Sequence, residues 1–474
     1  MVFSSSYFMV YFLPIFLLVY FSVGKKLKNP VLLLASIFFF SWGAPRFIFL
    51  LLATTAIDFY LVRWMSQQSD ARKKKRILIV SLALNIGLLA VFKYANFFVE
   101  GFNELLYQLG VQTIGWTEIA LPIGISFFVF ESITYALDVY RGDQKPLDNF
   151  FNYLLYILLF PKLIVGPIIP YRTIAHQITD RSAFETTDNR LNGFYQFCIG
   201  LAKKVLIANQ IGLYTKIIFE MDFLQLDAFT AWFGLFAFAF QLYFDFSGYS
   251  DMAIGLAKML GFTIPENFNS PYISTSITEF WTRWHISLGK WMKDYLYIPL
   301  GGNRVSSKKR LYFNLGLVFL LSGLWHGASW NFVFWGIYHG IFMILERLFL
   351  LKFYERVGRI LRIAITFMIV VTGYVFFHTK GLDAAFTYFG QLLPNDVVTP
   401  VIFDTKFYVF FIVAAVLSFA GILKIGRYLE TALYTDKQTD SGHLIATFAS
   451  FVLLVLSASF LVAGDFNPFI YFQF

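Results

Sequence analysis

The sequence predicts an all-α polytopic membrane protein. Three observations carry that reading. Of 474 residues, 58% are hydrophobic and only 14% are charged, against roughly 25% charged in a soluble globular chain. The apolar residues stand in long unbroken runs, not in the strand alternation of an outer-membrane barrel. The cations gather between the runs, as the positive-inside rule requires. A soluble enzyme, a disordered chain and a disulfide-stapled secreted domain are excluded. The net charge of +9 belongs to the basic loops, so no nucleic acid is expected as a partner. The lone Cys198 excludes an intrachain disulfide and a thiolate metal cluster.

In chain order, the run 7–23 is followed, not preceded, by Lys25, Lys26 and Lys28. A secretory signal carries its charge in front, so this is a first span with its N-terminus outside. Arg72, Lys73, Lys74, Lys75 and Arg76 mark a second cytoplasmic loop. The hairpin between them, 31–42 and 47–62, is broken at Gly43-Ala44-Pro45. Residues 77–92 return outward, 96–117 form an outer amphipathic segment, and 119–140 come back in to Arg141. The run 150–169 carries Pro161, Lys162, Gly166 and Pro167, the mark of a broken or re-entrant helix, which survives at membrane depth only where protein or water satisfies its backbone.

Residues 170–190 form a cytoplasmic loop with Arg172, Arg181 and Arg190. The run 191–219 is interrupted by Lys203 and Lys204, and 229–246 is a strong span. The stretch 265–310, with Arg283, Lys290, Lys293, Arg304, Lys308, Lys309 and Arg310, belongs at the cytoplasmic face. The run 312–346 starts and ends beside cations, so it enters and returns. Spans at 361–377, 407–425 and 444–463 follow, with 347–362 and 424–437 inside and the C-terminus outside. The total is about 10–12 transmembrane helices, depending on whether the short 31–62 hairpin crosses. No linker divides the chain, so 1–474 reads as a single membrane-embedded domain. Its 60 Phe exceed any interfacial belt, and many must pack between helices or line cavities.

Ionisable groups inside apolar runs are functional candidates. Of six His, His326 stands out, in Leu324-Trp325-His326-Gly327 and far from any charge. His339 sits in Tyr338-His339-Gly340. Both segments read G-x-x-H-G, which equally describes small-residue helix packing. The two are not expected to share one site, because in a continuous helix they would lie about 20 Å apart and roughly 140° around the axis, and only a break at 327–331 could bring them together. Asp245, Ser247, Ser250 and Asp251 close the 229–246 span. Asp251 suits an N-cap for a helix at 252–260, whereas Asp245 needs a partner. Two carboxylates without further ligands suggest no metal. Glu131 and Asp138, on one helical face, are expected to pair with another helix. In 277–295, Phe280, Trp284, Leu288, Trp291 and Tyr295 recur at helical spacing, with Arg283, Lys290 and Lys293 opposite and His285 between. That is an interfacial amphipathic helix whose cations suit an acidic nucleotide. There is no Walker A, dinucleotide-binding, H-E-x-x-H or G-x-S-x-G pattern.

The run Phe280-Trp281-Thr282-Arg283-Trp284-His285-Ile286-Ser287-Leu288, with Leu300-Gly301-Gly302-Asn303-Arg304 beyond it, resembles the membrane-bound O-acyltransferase family, most closely the alginate O-acetylase branch. Gly323-Leu324-Trp325-His326-Gly327-Ala328 is similar to that family's catalytic histidine segment. Further similarity lies in Leu121-Pro122-Ile123-Gly124, 241–252, Glu266-Asn267-Phe268-Asn269, the opening five residues and the closing Pro468-Phe469-Ile470-Tyr471.

The resemblance implies a helical body with re-entrant segments and a central tunnel, in a bacterial inner membrane. It implies acetyl transfer from a cytoplasmic donor, acetyl-CoA, used as a substrate with no bound cofactor. The acceptor would be an extracytoplasmic polysaccharide, reached with a periplasmic or surface partner. By the same resemblance His326 and His285 are the catalytic pair. Arg283, Lys290, Lys293, Asp245, Asn269, Trp325 and His339 support or bind the donor. His326 would act as general base or nucleophile, His285 would orient the donor or complete a proton path, and Asp245 would support a His tautomer. A D-alanyl transferase is the cousin reading. A transporter or flippase is the rival from another class, since broken helices and buried polar groups fit it too, and a structural subunit of a synthase is a third.

Overall fold

A computed structural model describes residues 2–397, 399 and 403–464. Met1 and the C-terminal motif invoked for the family resemblance lie outside them. The described residues are mostly helical, and the one β pairing among them is a bridge between Phe268 and Trp284. Seven helices are long and apolar enough to cross a membrane, and Tyr7–Ser22 is a shorter apolar one. Of the remaining expected crossings, Lys25–Gly43, Ile125–Arg141 and Lys308–His326 are continuous helices, and the 150–169 run is broken. The chain forms two compact units, Met1–Glu185 with Gly261–Ile264, and Thr186–Leu260 with Pro265–Phe474.

In the first unit the expected hairpin is Lys25–Gly43 and Phe47–Ser66, parted at Ala44 and Pro45. The expected outer amphipathic segment is not separate. It continues the preceding helix as one 38-residue run, Ala71–Gln108, through a π-helical turn at Ala90–Tyr94. Asn96 then ties the following loop, accepting from Trp116 Nε1 and Ile119 N, both at 3.0 Å. The broken helix at 150–169 is Phe150–Leu158 and Phe160–Leu163, parted at Leu159. Its Lys162 pairs with Glu131, both buried, which is the interhelical pairing expected of Glu131. Asp138 accepts from the Arg172 amide at 2.9 Å. Asp58, also buried, is held by Ser81, by Asn85 at 3.2 Å and by Tyr153 at 2.8 Å. Each of these three buried carboxylates thus has the partner that burial demands.

In the second unit, Thr187–Ala202 packs on Ala228–Met259 through glycines. A Cβ on Gly193 would stand 2.6 Å from Gly255 O, and one on Gly200 2.5 Å from Gly248 O. Both glycine pairs are spaced by seven residues, two turns on one face, and they let the backbones touch. The close approach sets Lys204 on Asp245 at 2.6 Å and Lys203 on Asp251 at 2.7 Å. Two expectations change here. The 229–246 span does not stop at its carboxylates, because their charge is compensated and the helix runs on to Met259. Asp251 is therefore no N-cap: it lies inside the helix and also accepts from Tyr434 at 2.9 Å.

Lys308–His326 and Trp330–Leu345 form an antiparallel hairpin. Gly323 faces Gly336, and Gly340 faces Gly316. The run 312–346 therefore enters and returns as its flanking charges require. Gly336 and Gly340 bear out the small-residue packing.

Candidate active site

The run 277–295 is not one helix. Ile277–Arg283 ends, His285 takes a left-handed conformation with φ 47°, and Ile286–Trp291 begins. The cause lies in the strand-like 267–269 segment. Asn267 O accepts from Ile286 N at 2.9 Å, and Asn269 N donates to Arg283 O at 3.0 Å. Asn267 Oδ1 accepts from Ser287 N at 3.1 Å and Ser287 Oγ at 2.8 Å. Among the described residues only Ser270 and His285 are non-glycine residues with positive φ. Such a conformation costs of order 1–3 kcal/mol and persists where surrounding structure imposes it. Despite the break, the expected stripe of Phe280, Trp284, Leu288, Trp291 and Tyr295 is buried.

His285 is itself buried. Its ring meets Phe246 edge-on at 4.7 Å and Trp325 at 6.0 Å. Burial pushes its pKa down to about 3, so the imidazole is neutral at physiological pH. Its Nδ1 lies 3.3 Å from Asn267 Oδ1, and its Nε2 is buried with no hydrogen-bond partner among the described residues.

His326 ends the Lys308–His326 helix and is half-buried. It is boxed by Trp325 and Trp335, each at 5.0 Å, Phe377 at 5.5 Å and Phe332 at 6.4 Å. The following Gly327 gives the Phe332 ring its room, because a Cβ there would collide with that ring. The break at 327–329 is the one the sequence required for the two G-x-x-H-G segments to meet. Trp335 touches His326 on one side and His339, at 4.8 Å, on the other. His339 is wholly buried, and neither of its ring nitrogens has a hydrogen-bond partner among the described residues. A Cβ at Gly373 would come within 2.9 Å of His339 Nε2, so this histidine depends on a glycine opposite.

The other expected site residues divide. Trp325 stands between His285 and His326. Arg283 is engaged by Glu279 at 3.0 Å and by Asn269 O and Oδ1 at 3.0 and 3.2 Å. Arg283 and Asn269 thus brace the backbone around His285. Lys290 and Lys293 are exposed, with no ion pair among the described residues. Asp245 faces Lys204. No group of three or more His, Cys, Asp or Glu among the described residues is placed to hold a metal ion.

A cavity of about 830 Å³ adjoins His326. Phe332 and Phe377, which pack on the His326 ring, form part of its wall, as do the backbone after His326, Gln241, Lys216 and His378. The His378 ring packs on Phe219 at 4.1 Å and Phe238 at 4.3 Å, and its Nδ1 is buried without a hydrogen-bond partner among the described residues. Sequence reasoning passed over His378, which falls just past the 361–377 span. Gln241, bonded to Thr215, was visible as a polar residue in mid-span.

Residues 144–355 match the family model for MBOAT, the membrane-bound O-acyltransferase family. The chain is 43% identical to the probable alginate O-acetylase of Pseudomonas aeruginosa, over 81% of this chain and 73% of that one. It is 38% identical to the probable alginate O-acetylase of Azotobacter vinelandii over the whole of both. It is 32% identical to the peptidoglycan O-acetyltransferase of Helicobacter pylori, over all of this chain and 98% of that protein.

Proposed function

We propose, for a chain that belongs to the membrane-bound O-acyltransferase family and is an O-acyltransferase, that it passes acetyl groups from acetyl-CoA inside a bacterial cell to an extracytoplasmic polysaccharide, with the help of a partner protein. Residues 1–474 act as one functional domain of the inner membrane. The observation that carries the reading is the position of His326. On one side, through Trp325, stands the buried His285, whose Nε2 has no hydrogen-bond partner among the described residues. On the other stand Phe332 and Phe377, which line the cavity.

By charge, the two sides face opposite compartments. Arg356, Arg359 and Arg362 sit at the turn between Trp330–Glu355 and Arg359–His378, and the positive-inside rule supports that turn on the inside. The opposite ends of both helices, with Ser329 and His378 on the cavity wall, are then outside. The acceptor enters there. The donor enters from the inside, where the exposed Lys290 and Lys293 meet the acidic nucleotide.

His326 takes the proton from an acceptor alcohol. The alcohol oxygen bonds to the acetyl carbon, the carbon–sulfur bond breaks, and the thiolate leaves as a thiol with the proton that His326 returns. A neutral imidazole is the form this requires. Acetyl is preferred to D-alanyl because relatives aligned along the full chain are named as O-acetylating enzymes. A teichoic acid D-alanyltransferase of Bacillus subtilis aligns with 54% of the chain.

The test uses membrane vesicles from the native host and acetyl-CoA labelled in the acetyl group. Inverted vesicles, with the cytoplasmic face outward, should pass label to a base-labile ester. Sealed right-side-out vesicles should not. Uptake of label without transfer would replace the enzyme by a transporter.

A further inference from the structure

The two hydrogen bonds that Asn267 receives from Ser287 settle a question about His285. A backbone N–H can only donate, so the side-chain atom of Asn267 that meets Ser287 N is the oxygen. The same oxygen lies 3.3 Å from His285 Nδ1. Two electron-rich atoms do not bond to each other, so Nδ1 carries the proton. A neutral imidazole has one N–H, and Nε2 is therefore a bare acceptor. Asn267 is fully buried and its own Nδ2, like His285 Nε2, has no hydrogen-bond partner among the described residues. Buried polar atoms left in this state ask for a ligand or water. Phe246 and Trp325 pack against the His285 ring. Asn267 is also the residue whose carbonyl holds Ile286 N and so fixes the left-handed turn. The tautomer and the direction of the ring are set by one side chain and its own backbone.

From this we infer that Asn267 is a positioning residue, holding His285 as the Nδ1–H tautomer so that Nε2 accepts a hydrogen bond from the acyl donor. The matching group is a donor N–H, such as an amide of the arm that carries the thioester. An imidazolium at position 285 would present a proton instead and would repel it. The inference rests on the acetyl-transfer reading above, and the experiment separates the two.

Asn267→Asp keeps the size and the acceptor oxygen but adds a charge beside Nδ1–H. An opposite charge at this distance raises a histidine pKa by about 1–3 units or more in a buried site. Acetyl transfer by Asn267→Asp in host membranes should then fall about tenfold per pH unit below the shifted pKa and recover as pH rises. The loss should appear in the KM for acetyl-CoA. The wild type should lack this limb in KM, and so should the Asn267→Asp, His285→Gln double variant, whereas the acid limb of the general base His326 is common to all three. A loss uniform across pH, or a KM limb that persists in the double variant, overturns the inference. Should Asn267→Asp fail to fold, the tautomer is read directly. Spectra of ¹⁵N-histidine protein in detergent, compared with His285→Gln, should show the resonance of an unprotonated Nε2, and a protonated Nε2 overturns the inference. His326→Ala runs in parallel. If the wild type itself passes no acetyl group, the acetyl-transfer reading fails, and if His326→Ala retains transfer, the role of His326 fails. If it abolishes transfer while the Asn267→Asp KM profile is flat, only the role of Asn267 fails.

Discussion

The imidazole of His326 lies edge-on to the indole of Trp335, ring centres 5.0 Å apart and planes at 78°. Trp335 is also buried against His339, so one side chain sets the position of both. Trp335→Ala should lower stability by about 3–5 kcal/mol, the cost of emptying a buried aromatic site, and should reduce transfer. Trp335→Phe keeps a ring in place and should recover most of both. Thermal unfolding in detergent and acetyl transfer, measured on the same preparations, check this. Equal transfer by the wild type and Trp335→Ala would show that His326 is not positioned by this ring.

Lys204 and Asp245 pair at 2.6 Å with both side chains 2% exposed. Removing one charge strands the other, at about 3–5 kcal/mol. Lys204→Met and Asp245→Asn should each unfold at lower temperature, and the double variant Lys204→Met, Asp245→Leu should regain much of the loss. If Asp245→Asn is as stable as wild type yet inactive, Asp245 serves the reaction and not the fold.

The three cations Arg283, Lys290 and Lys293 should separate in their effects. Arg283→Ala removes the brace to Glu279 and Asn269 and should lower both stability and kcat. Lys290→Gln with Lys293→Gln should leave stability unchanged and raise the KM for acetyl-CoA. High salt should imitate that rise, because exposed charges are screened. An unchanged KM would return both lysines to the role of membrane anchors.

His378→Phe keeps the packing on Phe219 and Phe238 and removes the ring nitrogens from the cavity wall. If the cavity receives the acceptor, transfer should drop at least several-fold while the KM for acetyl-CoA holds. Normal acetyl content of the host's surface polymer in this variant would take the acceptor elsewhere.

Apolar runs located the membrane helices because burying them leaves no alternative, and clustered cations gave the loops. Where the reading slipped, a distant partner decided the outcome. The carboxylates of Asp245 and Asp251 looked like the end of a span until Lys204 and Lys203 neutralised them. The periodicity of 277–295 looked like one helix because nothing local shows that Asn267 will bend the chain at His285. His326 and His339 look too far apart for one site in a continuous helix, but the break at 327–329 brings both against Trp335. His378 left no trace, because its meaning comes from a cavity wall drawn from four separate segments.

Acetyl transfer by His326→Ala and His326→Gln, in membranes where folding and acetyl-CoA binding are checked separately, tests the central claim most directly. Gln keeps a hydrogen bond but cannot take a proton. Both variants should insert, bind donor and lose transfer by about 10²–10⁴-fold, the contribution of a general base. Near-full transfer by His326→Gln would contradict the account and move the chemistry to His285.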